Sequence, residues 1–193
     1  GLARHAADGV GKAGGKAVEN AAWSYDEPYD DAKPIREYIS FYPTRVSAIY
    51  DGDDEARSGL PAAAVRFRTL LAEHQALLVA SPEYNGSVTA LLKNALDWAS
   101  RSADGIDGLA LFRGKTVGLV AASAGPFGGV RSVAHLRGIL SKMGANVLAD
   151  EVLVAGAQHA FDEAGRLTNA LSDTLTAQLM SNLVASARRS DAS

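Results

Sequence analysis

The sequence predicts an α/β fold, a mostly parallel sheet between two layers of helices, on three observations. Short aliphatic runs at residues 76–81, 115–123 and 146–156 have the length and continuity of strands covered on both faces. Helical patterns rather than tight hairpin turns separate them, the spacing of repeated strand–helix units. Two loops rich in glycine and proline, 82–87 and 123–129, follow the first two runs, at the edge where such sheets hold ligands.

Taken in order, "GLARHAADGVGKAGGKAVEN" reads as a short helix running into glycines. The segment that follows gathers Trp23, Tyr25, Tyr29, Tyr38, Phe41, Tyr42 and Tyr50 among acids and prolines. Its "YISFY" and "VSAIY" runs are β-rich and separated by Pro43-Thr44-Arg45, which predicts a hairpin or two edge strands. After Leu60-Pro61, "AAAVRFRTLLAEH" is helical, with Val65, Leu70 and Leu71 on its apolar face. "ALLVAS" is the first buried strand, and Pro82 ends it. Asn85-Gly86 tolerates positive φ, and Ser87 is placed to cap a helix from Val88. That helix carries Val88, Leu91, Leu92, Ala95, Leu96 and Ala99 at helical spacing, with Lys93–Asp97 and Asp97–Arg101 as i,i+4 pairs. "KTVGLVAAS" is the second strand, "AGPFGG" a loop, and "VRSVAHLRGILSKMG" a helix closed by Gly144. "NVLADEVLVAG" is the third strand and "FDEAGRL" a turn-rich connection. Thr168 is expected to cap a last helix through Leu171, Leu175, Leu179 and Leu183. Residues 1–193 are expected to form a single domain, in which 20–50 is an atypical aromatic and acidic segment.

Composition narrows the function. The chain has 193 residues, 47% hydrophobic and 21% charged, enough for one sizeable core. A net charge of −3 argues against nucleic acid and anionic membranes as partners. With no cysteine there is no disulfide, thiolate metal site or thiol nucleophile, and a cytoplasmic location is expected. No run reaches the length of a membrane span.

Most candidate motifs read as structure. Gly9-Val10-Gly11-Lys12-Ala13-Gly14 matches the dinucleotide fingerprint formally, but no strand precedes it. The histidines at 5, 74, 135 and 159 lack metal-ligand spacing, and Asp26, Glu27, Asp30 and Asp31 lack a calcium-loop pattern, so no metal is expected. No nucleophile–histidine–acid order is supported. In "PEYNGS" the turn chemistry accounts for Pro82, Asn85, Gly86 and Ser87 but not for Glu83 and Tyr84. A carboxylate and a ring at a ligand edge suit a planar ligand that stacks and meets backbone amides. "SAGPFGG" would allow a similarly close approach by backbone.

Residues 60 to about 189 resemble the NADPH-dependent FMN reductase family, flavodoxin-like proteins that include chromate and quinone reductases. The resemblance rests on "SPEYNGSVTALLKNALDWASR", "RGKTVGLVAASAGPFGGVRSVAHLRGILSKMGANVL" and "FDEAGRLT". It implies a flavodoxin-like three-layer fold in which Pro82, Glu83, Tyr84, Asn85, Gly86 and Ser87 border an isoalloxazine ring, with Ser123, Gly125 and Phe127 along its other edge. It also implies FMN as cofactor, NADPH or NADH as co-substrate, and a quinone, metal oxyanion or flavin as small-molecule acceptor. A homodimer or homotetramer is expected, and no catalytic acid or base, because the flavin carries the redox chemistry. The chain opens at residues similar to the family's first helix. Its first strand and phosphate loop are therefore expected to be missing, or the strand replaced by the aromatic segment, with FMN binding weakened or lost. Residues about 19–46 resemble an unrelated small β-rich bacterial domain family, which would make the chain a chimera. Two alternatives stand beside the enzyme: a recombined flavodoxin-like protein without FMN, and a non-enzymatic ligand-binding module.

Overall fold

The structure, a computed structural model, describes residues 49–163 and 165–190. Within them are helices α1 (Gly52–Ser58) and α2 (Ala62–Glu73), strand β1 (Ala76–Ser81) and helix α3 (Ala90–Ala99). Strand β2 (Thr116–Ala122), helix α4 (Val130–Lys142), strand β3 (Asn146–Val154) and helix α5 (Ala170–Ser190) follow. The strands form one parallel sheet in the order β1-β2-β3, as the three aliphatic runs predict. The expected hairpin or replacement strand falls outside the described residues, except for Ile49 and Tyr50, which are not in a strand.

Strand β2 explains why both faces are covered. Val117, Leu119 and Ala121 point to one side, into a cluster with Phe67 and Leu71 of α2, Leu92, Leu96 and Trp98 of α3, and Val133, Leu136 and Leu140 of α4. Val120 points to the other side, with Leu78 and Ala80 of β1, Val152 and Val154 of β3, and Leu179, Met180 and Leu183 of α5. Alternation along a strand divides its side chains between two cores, so a strand between two helical layers must be apolar throughout. Gly118 leaves room for α5: a Cβ there would sit 3.2 Å from both Leu179 Cδ1 and Leu78 Cδ1.

Several local expectations are corrected. In α2 the buried face is Ala63, Ala64, Phe67, Arg68 and Leu71, and Val65 is exposed. The helix is rotated because Arg68 goes inward, where its guanidinium donates to the carbonyls of Ala99 (2.8 Å), Arg101 and Ile106 (3.2 Å) and ties off the end of α3. In α5 the buried face is Thr176, Leu179, Met180 and Leu183, whereas Leu171 and Leu175 are exposed. The Thr176 hydroxyl bonds to the Ser172 carbonyl one turn back, which lets a polar residue take a core position. Asn169, not Thr168, caps α5 by accepting from Ser172 N–H at 3.0 Å, and Thr168 instead donates to the Ala160 carbonyl. The Lys93–Asp97 pair forms at 2.8 Å. Arg101 turns away from Asp97, donating to the Tyr50 hydroxyl at 3.2 Å with its guanidinium over the Tyr50 ring. That ring also meets Trp98 edge-on, with centroids 5.0 Å apart. Gly144 ends α4 with φ +91°, as expected.

Candidate functional site

Both predicted loops lie at the carboxyl edge of the sheet, one after β1 and one after β2. In the first, Tyr84 and Ser87 pair through Tyr84 N–H to Ser87 O (3.0 Å) and Ser87 N–H to Tyr84 O (3.1 Å). Asn85 (φ +51°) and Gly86 (φ +79°) occupy the two central positions. Two consecutive left-handed residues make a type I′ turn, for which Asn-Gly is the favoured pair. The turn leaves the N–H groups of Asn85 and Gly86 donating to no acceptor among the described residues. Pro82 is buried, and its carbonyl accepts from the Ser81 hydroxyl at 2.9 Å.

The second loop is held from behind. Ser123 N–H donates to the Val154 carbonyl (2.9 Å), and the Ser123 carbonyl accepts from Ala157 N–H (3.0 Å). The Ser123 hydroxyl accepts from Gly125 N–H at 3.2 Å. Gly128 and Gly129 are buried with φ +59° and +89°, and Cβ atoms there would lie 2.9 Å from the Leu153 carbonyl carbon and 2.7 Å from Ala121 Cβ. Only glycine serves at both: the backbone conformation is left-handed and the space is filled.

Glu83 has a role that the sequence does not show. Helix α4 begins on Gly129, which has no side chain to cap it. The Glu83 carboxylate reaches across from the first loop and takes that place. It accepts from Arg131 N–H at 3.0 Å and Arg131 Nε at 2.7 Å, and pairs with Nη2. Its side chain is only 8% exposed, against 57% for Arg131. Burial alone would raise the Glu83 pKa, but these Arg131 hydrogen bonds and charge outweigh it and hold the carboxyl below its ordinary 4.5. Glu83 is therefore a brace between the loops, with its oxygens turned toward α4.

Ser87 was expected to cap α3. Thr89 does so, its hydroxyl accepting from Leu92 N–H at 3.1 Å, and α3 starts at Ala90. The Ser87 hydroxyl instead lies 2.9 Å from His135 Nδ1. What faces outward at this edge is aromatic: Tyr84 is 46% exposed and Phe127 63%, with the Arg131 guanidinium 5.7 Å from the Phe127 ring centroid. Of the nine site residues predicted, the structure thus gathers all at one edge and turns the polar side chains of Glu83, Ser87 and Ser123 to bracing. Arg131, His135 and Thr89 were missed. The first two stand one helical turn apart, directly after the glycine loop, and that spacing was the available signal.

These features fit a planar ring with carbonyl edges: amide donors on a rigid turn, aromatic faces and close glycine backbone. The family model for NADPH-dependent FMN reductase matches residues 3–160. The chain belongs to the NADPH-dependent FMN reductase family. The match spans residues about 19–46, the stretch whose other resemblance would make the chain a chimera. An NAD(P)H-dependent FMN reductase of Pseudomonas aeruginosa is 40% identical over 138 residues, 71% of this chain and 72% of that protein. A quinone reductase of Escherichia coli is 35% identical over 108 residues, 56% of this chain and 55% of its own length. This chain thus spans about half of that quinone reductase. Among solved structures, the flavoenzyme NAD(P)H:(acceptor) oxidoreductase of Paracoccus denitrificans superposes with a TM-score of 0.61 at 20% identity, over 83% of this chain and 93% of that one. An oxidoreductase of Corynebacterium diphtheriae gives 0.60 at 19% identity, over 97% and 85%. These likenesses show the fold, as the sequence predicts. Family and relatives together support an FMN-dependent NAD(P)H oxidoreductase. Among the described residues no helix is long and apolar enough to cross a membrane, and no group of acids and histidines could hold a metal ion.

Proposed function

We propose that the 82–87 and 123–129 loops seat the isoalloxazine ring of FMN and that the chain passes reducing equivalents from NADPH or NADH to a small quinone-type acceptor. The observation that carries this reading is the 84–87 turn, which presents two adjacent backbone N–H groups and the Tyr84 ring at the carboxyl edge of a parallel sheet. FMN supplies the hydride chemistry when bound. The protein's part is to bind and orient: Asn85 and Gly86 N–H groups meet ring carbonyls, Tyr84 and Phe127 cover the faces, and Glu83 with Arg131 keeps the two loops in register. No side chain need move a proton. A homodimer or homotetramer is part of this reading, with the exposed Tyr84, Phe127 and Val130 as the apolar rim that a second copy would cover. So are a single domain over 1–193 and a cytoplasmic location, where NADPH and FMN are both supplied.

Titration of the purified protein with FMN tests it, read by quenching of flavin fluorescence and followed by NADPH oxidation with a quinone. Saturable binding with turnover supports the enzyme. A protein that stays colourless and never quenches would favour the recombined form that keeps the fold without the cofactor.

A further inference from the structure

Helix α4 touches the ring loop at two points one turn apart. Arg131 binds Glu83, which precedes the 84–87 turn, and His135 binds Ser87, which closes it. Residues i and i+4 of a helix lie on the same face, so a single face of α4 holds both shoulders of the turn. The need for this is physical. The turn closes on one pair of backbone hydrogen bonds, Tyr84 to Ser87 and back, and among the described residues no strand extends it. An isolated two-residue hairpin is marginal in water, so its orientation must come from side chains. Ser87 is available for that task because Thr89 caps α3.

We propose that His135 is a positioning residue for the flavin site: through Ser87 it fixes the far shoulder of the 84–87 turn and so the direction of the Asn85 and Gly86 N–H groups. This rests on the reading of that turn as the ring platform. It differs in kind from the Glu83–Arg131 brace, which is charged and caps a helix. The His135 link is one hydrogen bond to one hydroxyl, with no charge required, and its only consequence is where the turn points.

The test uses the full chain and two readouts. The first is amide hydrogen exchange at Tyr84 and Ser87 in flavin-free protein, since those two N–H groups make the turn. The second is the dissociation constant for FMN. His135→Ala is expected to speed exchange at both amides and to raise the FMN dissociation constant about fivefold, the size of one neutral hydrogen bond. Ser87→Ala should match it, and the double variant should be no worse than either single one, because both remove the same link. His135→Asn, which can place an oxygen near the Nδ1 position, should recover most of the loss at unchanged melting temperature, which a general packing defect would not do. Unchanged exchange in His135→Ala, or additive losses in the double variant, would overturn the proposal. Should the unaltered protein not bind FMN, the ring-platform reading fails by itself, and exchange at Tyr84 and Ser87 still decides whether His135 holds the turn.

Discussion

Glu83 and Arg131 lie 48 positions apart in sequence, yet the Glu83 carboxylate caps the first turn of α4 by accepting from the Arg131 N–H. The pair ties the loop after β1 to the helix after β2, and its acidity has a sign that can be checked. Because the folded-state pKa is held below the ordinary 4.5, the carboxylate contributes stability that is fully present above about pH 4.5. That contribution is lost as pH falls through the depressed value. Glu83→Gln should therefore be less stable than the unaltered protein at pH 7, with the gap closing below pH 4.5. Urea midpoints across pH 3–7 measure this. A gap that persists at the acid end would show that the loss comes from shape and not from charge.

Gly129→Ala should damage the site and the fold together. The new Cβ would meet Ala121 Cβ at 2.7 Å, and alanine at φ +89° is strained whatever the space. The expected cost is about 3 kcal/mol, from strain and overpacking combined. Thermal and urea unfolding would read it. Pairing it with Ala121→Gly relieves the clash but not the backbone, so only partial recovery is expected.

The cap of α3 separates two neighbouring hydroxyls. Thr89→Ala should cost about 1 kcal/mol of stability, as loss of an N-cap does. Ser87→Ala should leave α3 intact and act on the turn alone. Unfolding midpoints of the two variants, compared side by side, would reverse if Ser87 were the cap.

Backbone donors, not the Asn85 amide, are expected to hold the ring. Asn85→Gly keeps a residue that accepts φ +51° and retains its N–H, so FMN affinity should stay within about twofold. Gly86→Val puts a β-branched residue at φ +79°, with its Cβ 3.6 Å from Arg131 Nε, and should weaken binding more than about tenfold. Tyr84→Ala should weaken it too, through loss of the stacking face. Fluorescence titration distinguishes these, and a large loss in Asn85→Gly would move the interaction to the side chain.

Gly118→Val probes the other face. Its side chain would enter the gap between Leu179 and Leu78, where a Cβ already sits 3.2 Å from both. The expected cost is about 1–3 kcal/mol, with α5 displaced from the sheet and the flavin loops little changed. Loss of stability without a matching loss of FMN affinity is the outcome to look for.

The parallel sheet and both site loops were legible in the sequence because they depend on local signals: continuous aliphatic runs, Pro82 as a stop, Asn85-Gly86 as a turn, Gly144 as a cap. What was illegible depends on partners far away in the chain. Nothing near Arg68 says that three carbonyls from residues 99, 101 and 106 await it, so the rotation of α2 that exposes Val65 was missed. Ser87 and Thr89 are equally good caps as letters, but the helix starts at Ala90 with Thr89 as its cap, and the Ser87 hydroxyl meets His135 across the loop. Glu83 reads as a ligand-facing carboxylate until α4 is seen to start on glycine. Leu171 and Leu175 follow a helical period, but the period alone does not say which side of α5 meets the sheet.

One irregularity in β3 bears on how this chain tolerates change in length. Between Val117 and Leu119 the partners jump from Val147 to Glu151, so Gly118 alone stands opposite residues 148–150. Arg137 spans the excess, donating to the Leu148 carbonyl (2.5 Å) and the Glu151 carboxylate (2.8 Å). The surplus is two residues, an even number, so Val147 and Leu153 still face the α4 side while Leu148, Val152 and Val154 face α5. Insertions and deletions here obey a parity rule: a pair leaves both cores as they are, whereas a single residue would turn Val152 and Val154 away from α5 and invert the strand's last stretch.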